Sequence, residues 1–303
     1  MITVLSGGTG TPKLLQGIKE IIDSSELNII VNTVENDYFS GVYVSADIDT
    51  VLYTMADMIN DETWYGVKND TFITHERLNE IGFNELLRIG DIDRATKIQK
   101  THLMRQYNLS KACEIQSQQM GISAKILPMS DDETSIKIIT DIGELDFHDF
   151  LIKYQSEPKV LDINFSKVKA SENVITTIEN SDVVIIGPSN PITSILPIIS
   201  LEGVKEALKK THVIAVSPIV GNEAVSGPAG KFMQALGVEV SSYGVAELYS
   251  DFLDAIVIDD DDKFLSSKIN QIVNKVIITN TIMNNLEAKI NLASQIIENV
   301  PHK

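Results

Sequence analysis

The sequence predicts an α/β fold: a mostly parallel sheet with helices on both faces, plus a helical insertion and a β-hairpin. Three observations predict it. Short runs that are apolar nearly throughout, at Ile2–Leu5, Leu27–Val31, Asp182–Ile186, His212–Ser217 and Ala255–Asp259, read as strands covered on both faces. Helical spacing stands between them, as in Leu14, Leu15, Ile18, Ile21 and Ile22, and again in a closing amphipathic helix marked by Leu286, Ile290, Ala293 and Ile297. Loops rich in glycine, proline and serine follow the strands, where parallel sheets hand over to helices.

In order, Ile2–Leu5 is a strand and Ser6–Lys13 a glycine loop, with Pro12 suited to the first turn of the helix that follows. Residues 61–124 hold many helix formers and few β-branched runs, so they read as a helical insertion. The nucleotide-binding core is then 1–60 with 125–303, and a hairpin is expected at about 125–155, turning at Asp141–Glu144. The acidic run Asp259–Asp262 reads as a solvated strand end without chemistry.

The chain has 303 residues, 43% of them hydrophobic and 22% charged, and a formal net charge of -17. That charge argues against nucleic acid, which demands a basic footprint. No run of about 18 apolar residues suggests a membrane span, and a cytoplasmic protein is expected. Cys113 is the sole cysteine and His75, His102, His148, His212 and His302 are scattered, so neither disulfides nor structural zinc are expected. An acidic protein that binds anions must gather cations locally, from lysine, arginine, a helix N-terminus or a metal.

Several segments carry candidate chemistry. Gly7-Gly8-Thr9-Gly10-Thr11, with Lys13, sits where open α/β sheets place phosphates, yet it could be a tight turn alone. It is neither a dinucleotide fingerprint nor a P-loop. Asp47 and Asp49 would share a magnesium ion if their segment is extended, or would cap the helix that Val51–Met58 begins. Glu35, Asn36 and Asp37 are further polar candidates. Arg88 and Arg94 flank a GDID segment and suit a phosphate or a flavin-type carbonyl edge; the plainer reading is a capped helix start. Gly187–Ser194, Ser217–Gly221 and Ser226–Lys231 are loops at strand ends, in which Ser189, Asn190, Gly227 and Lys231 are donor-binding candidates. Leu127–Asp132 reads as a strand cap or a base-binding loop.

Taken together these segments resemble the 2-phospho-L-lactate transferases of coenzyme F-420 biosynthesis. The matching stretches are SGGTGTPK from Ser6, SADIDTVLY from Ser45, NDTF from Asn69, GDIDRAT from Gly90, LPMSDD from Leu127, GPSNPITSI from Gly187, SPIVGNEAVSGPAGK from Ser217 and GVAELYSDF from Gly244. Ala46 departs from the proline common in relatives. The resemblance implies a Rossmann-like fold, a homodimer and a magnesium requirement. It implies a guanosine-diphosphate-linked donor, lactyl-2-diphospho-5'-guanosine or an enolpyruvyl analogue, and the deazaflavin Fo as acceptor, with GMP released. It places Asp49 and Arg88 against the deazaflavin. We expect Asp47 and Asp49 to be catalytic and to hold magnesium, with Gly7, Gly8, Thr9, Gly10, Thr11, Lys13 and Lys231 at the donor phosphates. Gly8, Asp49 and Arg88 should then share one cavity. The alternative from a related bacterial branch is a non-catalytic nucleotide-sugar-binding regulator.

Overall fold

The computed structural model describes residues 1–301; His302 lies outside them. Seven parallel strands form the central sheet, in the order Lys275–Ile278, Ala255–Ile258, Val213–Val216, Val183–Ile186, Ile2–Ser6 (β1), Leu27–Val31 (β2) and Lys125–Pro128. Successive side chains go to opposite faces. Val4, Ile29, Ile185 and Ile214 join one core with Leu14, Leu52 and Leu292, while Leu5, Ile30, Ile186 and Ala215 join the other with Ile198, Phe232 and Val245. Two buried faces account for the unbroken apolar strands. No helix among the described residues is long and apolar enough to cross a membrane.

The Lys125–Pro128 run pairs parallel with β2, Asn28 opposite Lys125, and so joins the central sheet instead of opening a hairpin. The hairpin itself lies at Ile136–Thr140 and Gly143–Asp146, and Val160–Phe165 adds a third strand. Helix α1 spans Gly10–Ile18 and α2 spans Ala46–Met55, so Thr11 and Lys13 are helical rather than part of the loop.

Three helices fill the segment expected to be helical: α3 (Ile73–Glu80), α4 (Asp91–Leu103) and α5 (Leu109–Gln119). Their entries cap one another. Asp70 accepts from the amides of Ile92 (2.8 Å) and Asp93 (2.9 Å), while Asp91 accepts from Thr71 Oγ1 (2.6 Å) and from the amides of Ile73 (2.9 Å) and Thr74 (3.0 Å). Gly90 is needed here, because a methyl group would strike the Asp70 carboxylate. The capped-helix reading of this segment is the one the structure supports.

These bonds, led by that from Thr71, hold the Asp91 carboxyl below its usual range. A depressed folded pKa means that its contribution is complete above the unfolded value and disappears as pH falls through the folded one. Protection of the Ile73 and Thr74 amides, followed by hydrogen exchange, should therefore fall on acidification, whereas in Asp91→Asn, which has no carboxyl to titrate, it should be lower at neutral pH and lose this acid dependence. Equal protection in the variant would refute the cap.

Candidate functional site

Connections run from β1 to β2 in one direction across the sheet and from Val183–Ile186 to Val213–Val216 in the other. The crevice between β1 and Val183–Ile186 is thus the topological switch point, where open α/β sheets bind ligands. Its walls are the glycine loop and residues Gly187–Asn190. Each glycine answers a close approach. A methyl group at Gly7 would meet Ser194, at Gly8 the carboxylate of Asp47, and at Gly10 the carbonyl of Pro188. Because the Pro188 carbonyl belongs to the backbone, Gly10→Ala should destabilise the protein by about 1–3 kcal/mol, read as a lower urea midpoint. An unchanged midpoint would contradict this packing.

Ser189 takes part of the loop's donor capacity. Its Oγ accepts from the amides of Gly7 (3.2 Å) and Thr11 (3.3 Å) and lies 2.7 Å from Thr11 Oγ1. The amides of Gly8, Thr9 and Gly10 have no protein acceptor among the described residues, and the Thr9 side chain makes no capping bond. Donors aimed at an anion therefore remain at the start of α1.

Asp47 faces those donors. It is buried in the first turn of α2, and Asn32 Nδ2, just past β2, donates to its Oδ2 at 2.9 Å. Burial pushes the carboxyl up to about 7, against the lowering effect of Asn32. Half-buried Glu35 is also raised, by burial and then by the charge of Asp47. Neither carboxyl is ion-paired among the described residues, so no protein cation offsets the burial that raises both of them opposite the glycine loop.

Asp49 does something else. The segment is helical, so residues two apart point about 200° away from each other around the axis. Asp49 turns toward the insertion, pairing with Lys97 (3.0 Å) and Lys100 and accepting from Ser45 Oγ (3.0 Å). Lys97 also pairs with Asp93, which accepts from the Tyr53 hydroxyl at 2.6 Å. All four charged side chains are at most 4% exposed. Burial would raise the Asp49 carboxyl, but Lys100 and Lys97 bring it below its usual value. The expected sharing of one cation by Asp47 and Asp49 does not hold in this geometry, because two lysines already neutralise Asp49.

Other expected site residues have protein contacts of their own. Arg88 is exposed, with its guanidinium carbon 3.7 Å from the centre of the Phe72 ring, and Arg94 pairs with Glu85 at 2.8 Å. Asn190 caps the amides of Ile192 and Thr193. Gly227 is an exposed turn residue at φ 64°. Lys231 is exposed and donates to the Ser156 carbonyl. Asp131 accepts from Ser110 N at 2.7 Å in the first turn of α5 and Asp132 from Lys169 N at 3.0 Å, and both also line the larger of the two cavities described next. The acidic run after Ala255–Ile258 is not a solvated end. Asp262 is fully buried, accepting from Gly221 N (2.9 Å) and Ser242 Oγ (2.5 Å), and Asp259 accepts from Thr281 N (2.7 Å).

Two cavities open along the carboxyl edge of the sheet. One, of about 380 Å³, includes Glu35, Asn36, Tyr43, Phe147 and His148 in its walls. The other, of about 190 Å³, lies among Gly10, Lys13, Pro188, Ser217, Ser226 and Thr281. Neither takes in Gly8, Asp49 and Arg88 together, so the expected common cavity is replaced by two spaces beside the Asp47–Gly8 contact. Asn32, Lys97 and Lys100 were missed in the sequence. The only signal was the spacing of Asp93, Lys97 and Lys100 along one face of a helix.

A family model described as 2-phospho-L-lactate transferase matches residues 2–294. The chain belongs to the 2-phospho-L-lactate transferase family. It is 58% identical over 293 residues to a 2-phospho-L-lactate transferase of Methanothermobacter thermautotrophicus, covering 97% of this chain and 96% of that one. It is 53% identical over 306 residues to one of Methanocaldococcus jannaschii, covering 98% and 97%. A solved UPF0052-family protein of Bacillus halodurans superposes with a TM-score of 0.63 at 16% identity, over 98% of each chain, and so shares the fold. Membership of the 2-phospho-L-lactate transferases makes the chain a transferase and disfavours the regulator reading.

Proposed function

We propose that the chain transfers the 2-phospholactyl group, or its enolpyruvyl counterpart, from a guanosine-diphosphate-linked donor to the deazaflavin Fo, releasing GMP. The supporting observation is the Asp47 carboxylate pressed against Gly8 at the switch point, facing unsatisfied amides. The donor's diphosphate lies at the start of α1, near Lys13. The acceptor's flat ring occupies the larger cavity beside Glu35, against Tyr43 and Phe147. Its ribityl hydroxyl attacks the phosphorus bearing the organic acid, the bond from that phosphorus to the GMP oxygen breaks, and the hydroxyl proton passes to Asp47 Oδ1. Asn32 holds Oδ2 and fixes the direction of the other oxygen. Arg88, exposed on the insertion and outside the lining of both cavities, is a further contact for the acceptor in this reading. Asp49 acts through position, tying α4 to the first turn of α2.

Magnesium fits this arrangement. No group of three or more His, Cys, Asp or Glu among the described residues stands ready to hold a metal, but Asp47 and Glu35 are two carboxylates without a cation. Magnesium is commonly held by one or two carboxylates plus substrate phosphates. Bound there it would neutralise phosphate charge. The test incubates the protein with Fo, magnesium and lactyl-2-diphospho-5'-guanosine or its enolpyruvyl analogue, and looks for GMP and a mass-shifted deazaflavin. The absence of both products with every donor would end this reading.

A further inference from the structure

We propose that Lys13 and Lys289, gathered over the ring of Trp64, form the subsite that holds the phosphates of the nucleoside diphosphate donor. Lys13 lines the smaller cavity. Its Nζ lies 5.3 Å from the centre of the Trp64 ring, and Lys289 Nζ lies 4.6 Å from the same centre. Lys289 comes from the C-terminal helix Leu286–Ile297, which packs on α1, so the two cations reach the ring from different helices. The inference rests on the transferase reading and adds to it a second cation and an aromatic platform, neither visible in the motifs.

Charge accounting favours a ligand here. The chain has 42 acidic and 25 basic side chains, so acidic partners are plentiful. Yet neither Lys13 nor Lys289 forms an ion pair among the described residues; Lys289 donates to Gln16 Oε1 at 2.7 Å, and Lys13 makes no hydrogen bond. Two neighbouring ammonium groups repel each other, and partial burial removes water that would soften the repulsion. Burial lowers the pKa of both lysines, and for Lys289 the charge of Lys13 lowers it further, against Asp61. A diphosphate relieves that repulsion. The aromatic face offsets part of the cost while the site is empty. Trp64 itself stands at φ 56°, a left-handed backbone conformation unusual for a bulky residue. Lys231, the second phosphate contact expected from the sequence, donates to the Ser156 carbonyl.

Trp64 is the only tryptophan in the chain, so its emission reports on this subsite directly. The wild-type protein with magnesium is titrated with GDP, inorganic pyrophosphate and, lacking phosphate, guanosine. GDP and pyrophosphate should change the emission saturably, and guanosine should not. Lys289→Gln should weaken GDP binding about tenfold, while the KM for Fo moves less than about twofold. Lys289→Arg, which keeps the charge, should stay within about threefold of wild type. Unchanged emission with pyrophosphate overturns the subsite without recourse to any variant, as does wild-type GDP affinity in a folded Lys289→Gln. If GDP binds as described but no phospholactyl transfer occurs, the subsite stands and the transferase chemistry falls. If transfer occurs with GDP affinity indifferent to Lys289, the subsite alone falls.

Discussion

Asp47→Asn is expected to lower turnover about a hundred- to ten-thousandfold while the protein remains folded. The amide keeps the size of the carboxylate and an oxygen for Asn32, so the Gly8 contact survives. What disappears is the negative charge beside Glu35 and the atom that receives the hydroxyl proton. Because two buried carboxylates repel, the variant should melt no earlier than wild type. The measurement pairs kcat with a thermal melt. Wild-type turnover in the variant would remove Asp47 from the chemistry, whereas a melt several degrees lower would assign it a structural role.

The second large effect is on stability. Lys100→Met should destabilise the protein by about 3–5 kcal/mol, because it removes one member of a buried, charge-balanced cluster. Lys100 is fully buried and donates to Ser45 Oγ and Asp49. Methionine fills similar space but leaves two carboxylates, Asp49 and Asp93, with Lys97 alone. Urea denaturation should show a clearly lower midpoint, and an unchanged midpoint would mean that the cluster adds little. Adding Asp49→Asn to Lys100→Met restores charge balance, so the double variant should be more stable than the sum of the single losses implies. Asp49→Asn alone should likewise reduce activity mainly by loosening the insertion.

Much of the fold could be read from the chain because burial on both faces leaves a mark that needs no partner. Leu27–Val31 and the closing helix Leu286–Ile297 lie where their apolar spacing predicts. Strands whose burial depends on distant neighbours were less legible. Lys275–Ile278 is an edge strand with a mixed burial pattern, and the short Lys125–Pro128 run has the pattern of a hairpin strand although it pairs parallel with β2. Within the site, the glycine loop lies between β1 and α1 as its spacing predicts, but its glycines answer Ser194, Asp47 and Pro188, contacts formed across long sequence separations. Lys97 and Lys100 were invisible for the opposite reason. A lysine on a helix ordinarily faces water, and only the matching carboxylates of Asp49 and Asp93 allow burial. The run at Asp259–Asp262 misled in the same way, since its acids accept from backbone amides that no sequence pattern announces.

The register of β1 has a consequence for biosynthesis. Ile2 lies opposite Leu27 on one side and opposite Val183 on the other, so β1 waits for a neighbour translated long after it. A nascent chain that stops short of that neighbour carries an open, apolar strand edge of the kind that recruits other chains. Ribosomes paused before residue 183 should therefore yield insoluble product. Supplying the missing C-terminal fragment in trans should restore solubility.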